Sequence, residues 1–237
     1  MHGQHPRRHD PEPGHRYVLI IDVAGEDEEA GSEINRMLLA NPKRDATSLT
    51  VIDVDLTKGP LPRYRAVDRK LWLGTSHTAL HAQILALVTH WHAVYVVPDA
   101  TAIGAGLTSF LVAALKEKVI PVEFSGTTKS DIGWGFVGIV ETGRYKDYID
   151  DQAPDTLQFW YEVGACQYEI RPGPGKLMRW GVWGSPTYDG LIATGHDDAL
   201  ISAAMVWILD SVEWPGRALG GTVARPDPLA KIDDAAW

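Results

Sequence analysis

Apolar and polar positions follow two different periods along this chain, and the period separates strands from helices. Residues 17–23 are almost wholly apolar and β-branched, which is typical of a strand buried on both faces of a sheet. Residues 47–54 alternate between apolar and polar, which predicts a half-exposed strand, and residues 65–73 follow as a third strand. Three successive strands with short connections predict a meander.

After residue 76 the pattern changes to helices alternating with strands. Within residues 77–91, Leu80, Ile84 and Leu87 recur at helical spacing. By the same reasoning we predict helices over 104–116 and 128–141, strands over 93–97 and 119–124, a strand pair within 161–183 and a closing helix over 196–210. The order is that of an α/β fold.

The first sixteen residues have no apolar periodicity. Residues 1–16 hold four histidines and three prolines, a composition typical of a flexible leader or linker. We therefore expect one folded domain over 17–237, with residues 1–16 outside it.

Composition and charge narrow the class of protein. The 237 residues are 45% hydrophobic and 22% charged, as in ordinary globular chains. No apolar run reaches the roughly 18 residues of a membrane helix, and the single cysteine excludes an internal disulfide. We expect a cytoplasmic protein. The net charge of −9 argues against DNA binding by bulk charge, although five bases cluster within residues 58–70 and three within 171–179.

Four aspartates lie where predicted elements end or begin. Asp22 and Asp99 each end an apolar strand, and Asp197 and Asp198 open the closing helix. Converging carboxylates suit phosphoryl transfer with two divalent cations, because hard cations take oxygen ligands and repel each other unless several acids hold them. Taken singly, each aspartate has a simpler interpretation, as a turn former or, for Asp197, as a helix cap. Taken together in this topology, they favour a metal site.

The strand and helix order, with acids on the first strand, after the fourth strand and on the last helix, resembles the RNase H-like nuclease superfamily. Within it the chain is similar to the C-terminal nuclease domain of tailed-bacteriophage large terminase subunits, from about residue 17 to residue 214. The matching stretches are Ile20-Ile-Asp-Val-Ala-Gly25, Arg44-Asp-Ala-Thr47, Val97-Pro-Asp-Ala-Thr-Ala-Ile-Gly104, residues 125–132 and Gly195-His-Asp-Asp-Ala-Leu200. The resemblance implies a mixed five-stranded sheet with helices on both faces and an added β-hairpin before the last helix.

The resemblance also implies an activity. It is that of a metal-dependent endonuclease, a hydrolase that cleaves concatemeric double-stranded viral DNA during genome packaging with little sequence specificity, using two Mg²⁺ or Mn²⁺ ions. Asp22, Asp99 and Asp198 fall on the family's catalytic, metal-binding acids, and Asp197 beside them shares the metal. Asp45 falls where some relatives carry an auxiliary acid. His196 is a second auxiliary candidate, to orient water or contact phosphate, with a structural role before the helix as its alternative.

Basic residues near these acids are candidates for contacts with DNA phosphates. Lys129 lies near the active site by resemblance, and Arg171, Lys176 and Arg179 belong to the strand pair before the last helix. A turn that carries solubilising charge is the alternative. The chain has no G-x-x-x-x-G-K-[ST] motif, so we expect the family's N-terminal ATPase domain to be absent from it. In the full-length protein the implied partners are that domain, the portal and the small terminase subunit, in the cytoplasm of the host cell.

Two other functions stay open at this point. One is another RNase H-like nuclease, of the junction resolvase or transposase type, although the strand pair before the last helix favours terminase. The other is a catalytically silent module that binds DNA or a protein, against which the presence of all the acids argues. His77 and His81 have the spacing of a zinc-binding helix but lack the glutamate of His-Glu-x-x-His, which favours surface or packing roles.

Overall fold

A mixed five-stranded sheet forms the centre of the molecule. The structure, a computed structural model, describes residues 1–24, 46–149, 152–173, 175–183 and 196–214. The strand order is β4-β1-β2-β3-β5. Neighbouring strands β1, β2 and β3 are antiparallel, whereas β4 is parallel to β1 and β5 is parallel to β3. The strands are β1 (Tyr17–Asp22), β2 (Ala46–Asp55), β3 (Arg63–Leu73), β4 (Tyr95–Pro98) and β5 (Tyr145–Lys146).

Helices cover both faces of this sheet, so the core has two parts. One face packs against α1 (His77–His90) and α2 (Gly104–Leu115). The other packs against α3 (Gly126–Glu141), α4 (Pro154–Ala165) and α5 (Asp198–Ala204), which a 3₁₀ helix extends to Ser211. Among the described residues, no helix has both the length and the apolar character needed to cross a membrane.

Strand β2 differs from its prediction, because residues 47–54 are buried rather than half-exposed. Its polar side chains find partners inside the protein. Ser48 Oγ and Thr50 Oγ1 lie 3.0 and 2.8 Å from Ser202 Oγ of α5, and Asp53 accepts a 2.7 Å hydrogen bond from Arg65 Nη2. The polar side chains of this strand are therefore paired within the protein, as buried polar side chains require.

Two further segments depart from the predicted elements. The strand pair exists as β6 (Gln167–Ile170) and β7 (Met178–Gly181), but its predicted start, residues 161–165, belongs to α4, which the pattern missed. The predicted strand 119–124 forms only two isolated parallel bridges to the β4 region, at Val119 and Val122. The fifth strand of the sheet is β5 instead.

The N-terminal segment packs on the domain, so the expectation of a leader outside the fold is wrong. The His2 ring stacks on Trp160 with 4.0 Å between the ring centroids. Arg7 donates from both terminal nitrogens to Asp155, at 2.9 and 2.6 Å, and from Nε to Asp68 at 2.7 Å. Ion pairs and ring stacking hold this segment, which is why a search for apolar periodicity overlooks it.

Candidate active site

Two parallel strands bring the first pair of aspartates to one edge of the sheet. Asp22 is the last residue of β1, and Asp99 directly follows β4. Ile21 is in register with Pro98, and the Asp99 N–H donates to the Ile21 carbonyl at 2.8 Å. The predicted meeting of the two strand ends is therefore present.

Helix α5 supplies the second pair at the same edge. The backbone N–H of Ala46, at the start of β2, donates to Asp198 Oδ2 at 2.7 Å. Asp22 is in register with Ser48, two residues further along β2. Asp197 precedes the helix, and its Oδ2 lies 3.3 Å from Lys129 Nζ of α3. Asp198 is thus tied to the sheet and Asp197 to α3.

The other three aspartates act electrostatically on Asp22. Burial raises the pKa of Asp22 well above its ordinary value, and the charges of Asp198, Asp99 and Asp197 raise it further, while Lys129 opposes them. Burial also raises the pKa of Asp99, partly offset by its hydrogen bonds with Thr101. A raised pKa of this kind is what nearby like charges produce on a buried carboxyl group.

The donor set suits a divalent cation in charge and ligand type, because Mg²⁺ and Mn²⁺ take oxygen ligands. Within the described ranges, no three His, Cys, Asp or Glu side chains form a group ready to hold a metal. Protein donors already engage three of the acids: Asp198 and Asp197 as above, and Asp99, whose Oδ1 accepts from the Thr101 N–H at 2.7 Å. The four acids lie at one edge of the sheet, and Asp99, Asp197 and Asp198 are bonded to protein groups there.

The structure agrees with the simpler interpretation of Asp99 as a turn former but not with that of Asp197 as a helix cap. Asp99 does make the hydrogen bond of a turn former, to the N–H two residues on. Asp197 occupies the cap position of α5, yet its side chain makes no capping hydrogen bond. A Cβ on Gly181, the last residue of β7, would overlap Asp197 Oδ2, and Gly181 has a φ of +144°. The hairpin therefore approaches Asp197 closely where only glycine fits.

The remaining predicted site residues differ in whether they lie near the acids. Asp45 lies outside the described residues. His196 is half-buried next to Asp197. Lys129, Arg171 and Arg179 line one cavity of about 450 Å³ beside Asp197, between the start of α3 and the β6–β7 hairpin. Lys176 is exposed in the hairpin turn and is not among the described residues of that lining.

Tryptophans of the hairpin support the basic side chains at this cavity. Trp180 Nε1 donates to the Lys129 carbonyl at 2.6 Å, and the Lys129 Nζ lies 5.5 Å from the Trp180 ring centroid. The Arg179 guanidinium lies 5.0 Å from the ring centroid of Trp183. Arg179, Trp180 and Trp183 lie close together in the sequence, and this closeness is the signal that could have pointed to part of this arrangement.

A fifth carboxylate, Glu162 of α4, lies behind the acids and was not found from the sequence. It is 1% exposed. Its Oε2 accepts from the backbone N–H of Leu200 in α5 at 2.8 Å, and its Oε1 accepts from Gln158 Nε2 at 2.8 Å. Burial, together with the charges of Asp198 and Asp197, raises the pKa of Glu162 to about 8. The helical spacing of Thr156, Phe159 and Glu162 could have revealed it.

Solved structures with a similar backbone include large terminase nucleases of two phages. The large terminase nuclease of thermophilic phage G20c with bound magnesium is 17% identical, with a TM-score of 0.59 over 86% of this chain and 91% of that one. Its cobalt-bound form has a TM-score of 0.60 at 18% identity, over 86% and 91% of the two chains. This chain has the fold of the large terminase nuclease domains.

A second example is the large terminase nuclease domain of Thermus phage P74-26, at 18% identity and a TM-score of 0.57 over 86% of this chain and 88% of that one. No protein-family model and no curated protein sequence matches the chain. The likeness to terminase nuclease domains confirms the predicted fold class, an RNase H-like mixed sheet with helices on both faces and a hairpin before the last helix.

Proposed function

We propose that this chain is a divalent-metal-dependent DNA endonuclease of the large terminase type, which cleaves concatemeric double-stranded DNA during phage genome packaging. The observation that carries the proposal is the gathering of Asp22, Asp99, Asp197 and Asp198 at one edge of an RNase H-like sheet. The G20c nuclease with the same fold binds magnesium or cobalt, which supports a divalent metal in this chain. Fold alone does not specify chemistry, so the proposal depends on these acids.

The residues of this chain take distinct roles in the proposal. Asp22, Asp99 and Asp198 hold two Mg²⁺ or Mn²⁺ ions, and Asp197 shares the task. Such ions activate the attacking water and stabilise the leaving 3′ oxygen. Lys129 balances negative charge from its position beside Asp197, and the proposed auxiliary residues are Asp45 and His196.

The cavity beside Asp197 is the proposed path of the DNA backbone. Lys129, Arg171 and Arg179 bring positive charge to it in a protein whose net charge is −9. Contacts with phosphates carry no sequence information, which agrees with cleavage of little sequence specificity. In the full-length protein, the proposed partners are an ATPase domain, the portal and the small terminase subunit, in the host cytoplasm.

Cleavage of supercoiled plasmid by the purified chain tests the activity. We expect nicking and linearisation with Mn²⁺ or Mg²⁺ and none with EDTA. Asp99→Ala should lose far more than about tenfold, or about 1.4 kcal/mol of transition-state stabilisation. Asp10→Ala is the matched control, because Asp10 is exposed and contacts His90 at the end of α1 on the opposite face of the sheet.

Other outcomes separate the alternatives. Cleavage of four-way junctions but not of duplex plasmid would favour a resolvase. DNA binding without cleavage in any metal would favour a silent module. Normal cleavage by Asp99→Ala would contradict the assignment of the site.

Salt dependence tests the DNA path. Replacing both Arg171 and Arg179 with Ala should weaken binding about equally on unrelated sequences and reduce the salt slope by about one unit for each lost phosphate contact. Lys176→Ala is the control, since Lys176 is exposed in the same hairpin but outside the described lining of the cavity. An unchanged slope in the double variant would place the duplex elsewhere, with the bases of residues 58–70 as the next candidates.

A further inference from the structure

We infer that Glu162 is a positioning residue of the active site: from α4 it caps the amino end of α5, and thereby holds Asp197 and Asp198 where they meet Asp22. This inference rests on the proposed function for its catalytic meaning. Its structural part, the cap, stands on contacts within the chain.

The first turn of α5 needs an acceptor from outside the helix. The backbone N–H groups of a helix's first turn have no partner within the helix, and the residue at the cap position commonly supplies one. Asp197 occupies that position without capping, because its carboxylate is directed at Lys129. Asp198 Oδ2 is occupied by the N–H of Ala46. The acids are thus directed to the site, and the cap has to come from elsewhere.

Glu162 supplies it. Its Oε2 accepts from the N–H of Leu200, the third residue of α5, at 2.8 Å. Gln158, one helical turn earlier on α4, donates to the other carboxylate oxygen at 2.8 Å and fixes the side-chain conformation. The residue is buried, so water does not replace the bond if it is lost, and an unpaired buried N–H is costly.

The shortness of α5 and the anchoring of α4 make this single hydrogen bond important. Helix α5 has seven residues before it continues as a 3₁₀ helix, and helices this short depend on capping and packing more than on their own hydrogen bonds. Helix α4 is anchored independently, by the buried Phe159 in the core and by the Arg7–Asp155 ion pair at its start. Glu162 therefore fixes the position of α5 relative to α4, which is itself anchored in the domain.

Three variants separate a cap from general stability. Glu162→Met removes the acceptor at nearly constant volume, and Glu162→Gln keeps a carbonyl acceptor. Phe159→Leu, on the same helix, perturbs the core without touching the cap. Amide exchange at Leu200, normalised to amides of β1, is measured without metal, and Mn²⁺ affinity is measured by electron paramagnetic resonance.

We expect Glu162→Met to raise the normalised exchange at Leu200 and to weaken Mn²⁺ binding by about tenfold, the loss typical of residues that orient metal ligands. Plasmid cleavage at limiting Mn²⁺ should fall in parallel. Glu162→Gln should restore all three. Phe159→Leu should lower the melting temperature with little change in normalised exchange or affinity.

Wild-type exchange at Leu200 in a folded Glu162→Met protein would overturn the inference. Equal loss of Mn²⁺ affinity in Phe159→Leu, or failure of Glu162→Gln to restore it, would overturn it as well. If Glu162→Met does not fold, Glu162→Asp, which withdraws the acceptor by one methylene, takes its place in the same assays. A wild-type protein that neither binds Mn²⁺ nor cleaves DNA would refute the proposed function, while the exchange data would still decide the cap.

Discussion

Replacing Asp22 by Asn should stabilise the metal-free protein or leave its stability unchanged, although the residue lies at the end of a buried strand. Asn has nearly the same shape and carries no charge. In the folded protein, burial and three neighbouring aspartates raise the pKa of Asp22 well above its value of 3.8 in an unfolded chain. The folded state therefore disfavours the ionised form that the unfolded chain adopts at neutral pH.

The magnitude follows from linkage. The folded state binds the Asp22 proton more tightly, so wild-type stability falls as the pH rises from about 3.8 through the folded pKa and is constant above it. Each unit of raised pKa costs about 1.4 kcal/mol at high pH. A domain of this size changes its melting temperature by about 2–4 °C per kcal/mol. The Asn variant recovers part of this lost stability, reduced by the free-energy cost of burying its amide group.

Thermal unfolding at pH 8 in EDTA and in excess Mn²⁺ measures both effects. In EDTA, Asp22→Asn should melt no lower than wild type. Mn²⁺ at about 100 times its Kd should stabilise wild type by about 2.7 kcal/mol, because it binds only the folded state, and should stabilise the variant less. Asp53→Asn is the control. Asp53 is equally a strand carboxylate, but it is paired with Arg65 at 2.7 Å, so its loss should lower the melting temperature.

A strongly destabilised Asp22→Asn, combined with a wild-type melt that does not respond to Mn²⁺, would refute this reasoning. Asp22 would then be a structural residue whose carboxylate the protein needs.

Three further predictions concern the surroundings of the site. Gly181→Ala should lower both the melting temperature and the cleavage rate, because the new methyl group overlaps Asp197 at a positive φ; normal cleavage would show that the hairpin can retreat. In EDTA, the stability of Glu162→Gln relative to wild type should increase with pH between about 4.5 and 8, by up to about 1.4 kcal/mol per pH unit. The reason is that over this range the folded wild-type protein keeps the glutamate proton that the unfolded chain loses. Parallel profiles of stability against pH for the two proteins would contradict this. Arg7→Met should lower stability by up to about 3–5 kcal/mol in denaturant unfolding, because it removes the guanidinium that pairs with Asp155 and leaves the buried Asp68 with Lys70; an unchanged midpoint would show that the N-terminal segment does not contribute to the fold.

The local pattern of apolar and polar residues predicted most strands of the sheet, but it did not predict helix α4. The apolar run ending in Asp22 identified β1, and helical spacing identified α1 to α3. Helix α4 contains Phe159, Trp160 and Tyr161, which favour strands when taken by themselves, so its end was assigned to the strand pair. Packing against the sheet, with Thr156, Phe159 and Glu162 all buried, makes it helical.

The site was predictable where it depends on strand ends. Asp22 and Asp99 meet because β1 and β4 are parallel neighbours, and the resemblance to RNase H-like nucleases implied that both acids belong to one site. The partners of the acids were not predictable in the same way. Glu162 and Leu200 are 38 positions apart and no periodicity links them, and only folding shows that Asp197 is directed at Lys129 rather than at its own helix.

The contacts of residues 1–10 also bear on how the chain folds during synthesis. Arg7 pairs with Asp155, 148 positions later, and His2 stacks on Trp160. Residues 1–10 can therefore reach these partners only after α4 has been synthesised, and α4 follows all five strands of the sheet in the sequence. Until then this polar, histidine-rich segment has little apolar surface to hide, so it can wait in solvent without promoting the aggregation to which exposed strands are prone. Such a composition suits residues that have to remain unpaired while the rest of the domain forms.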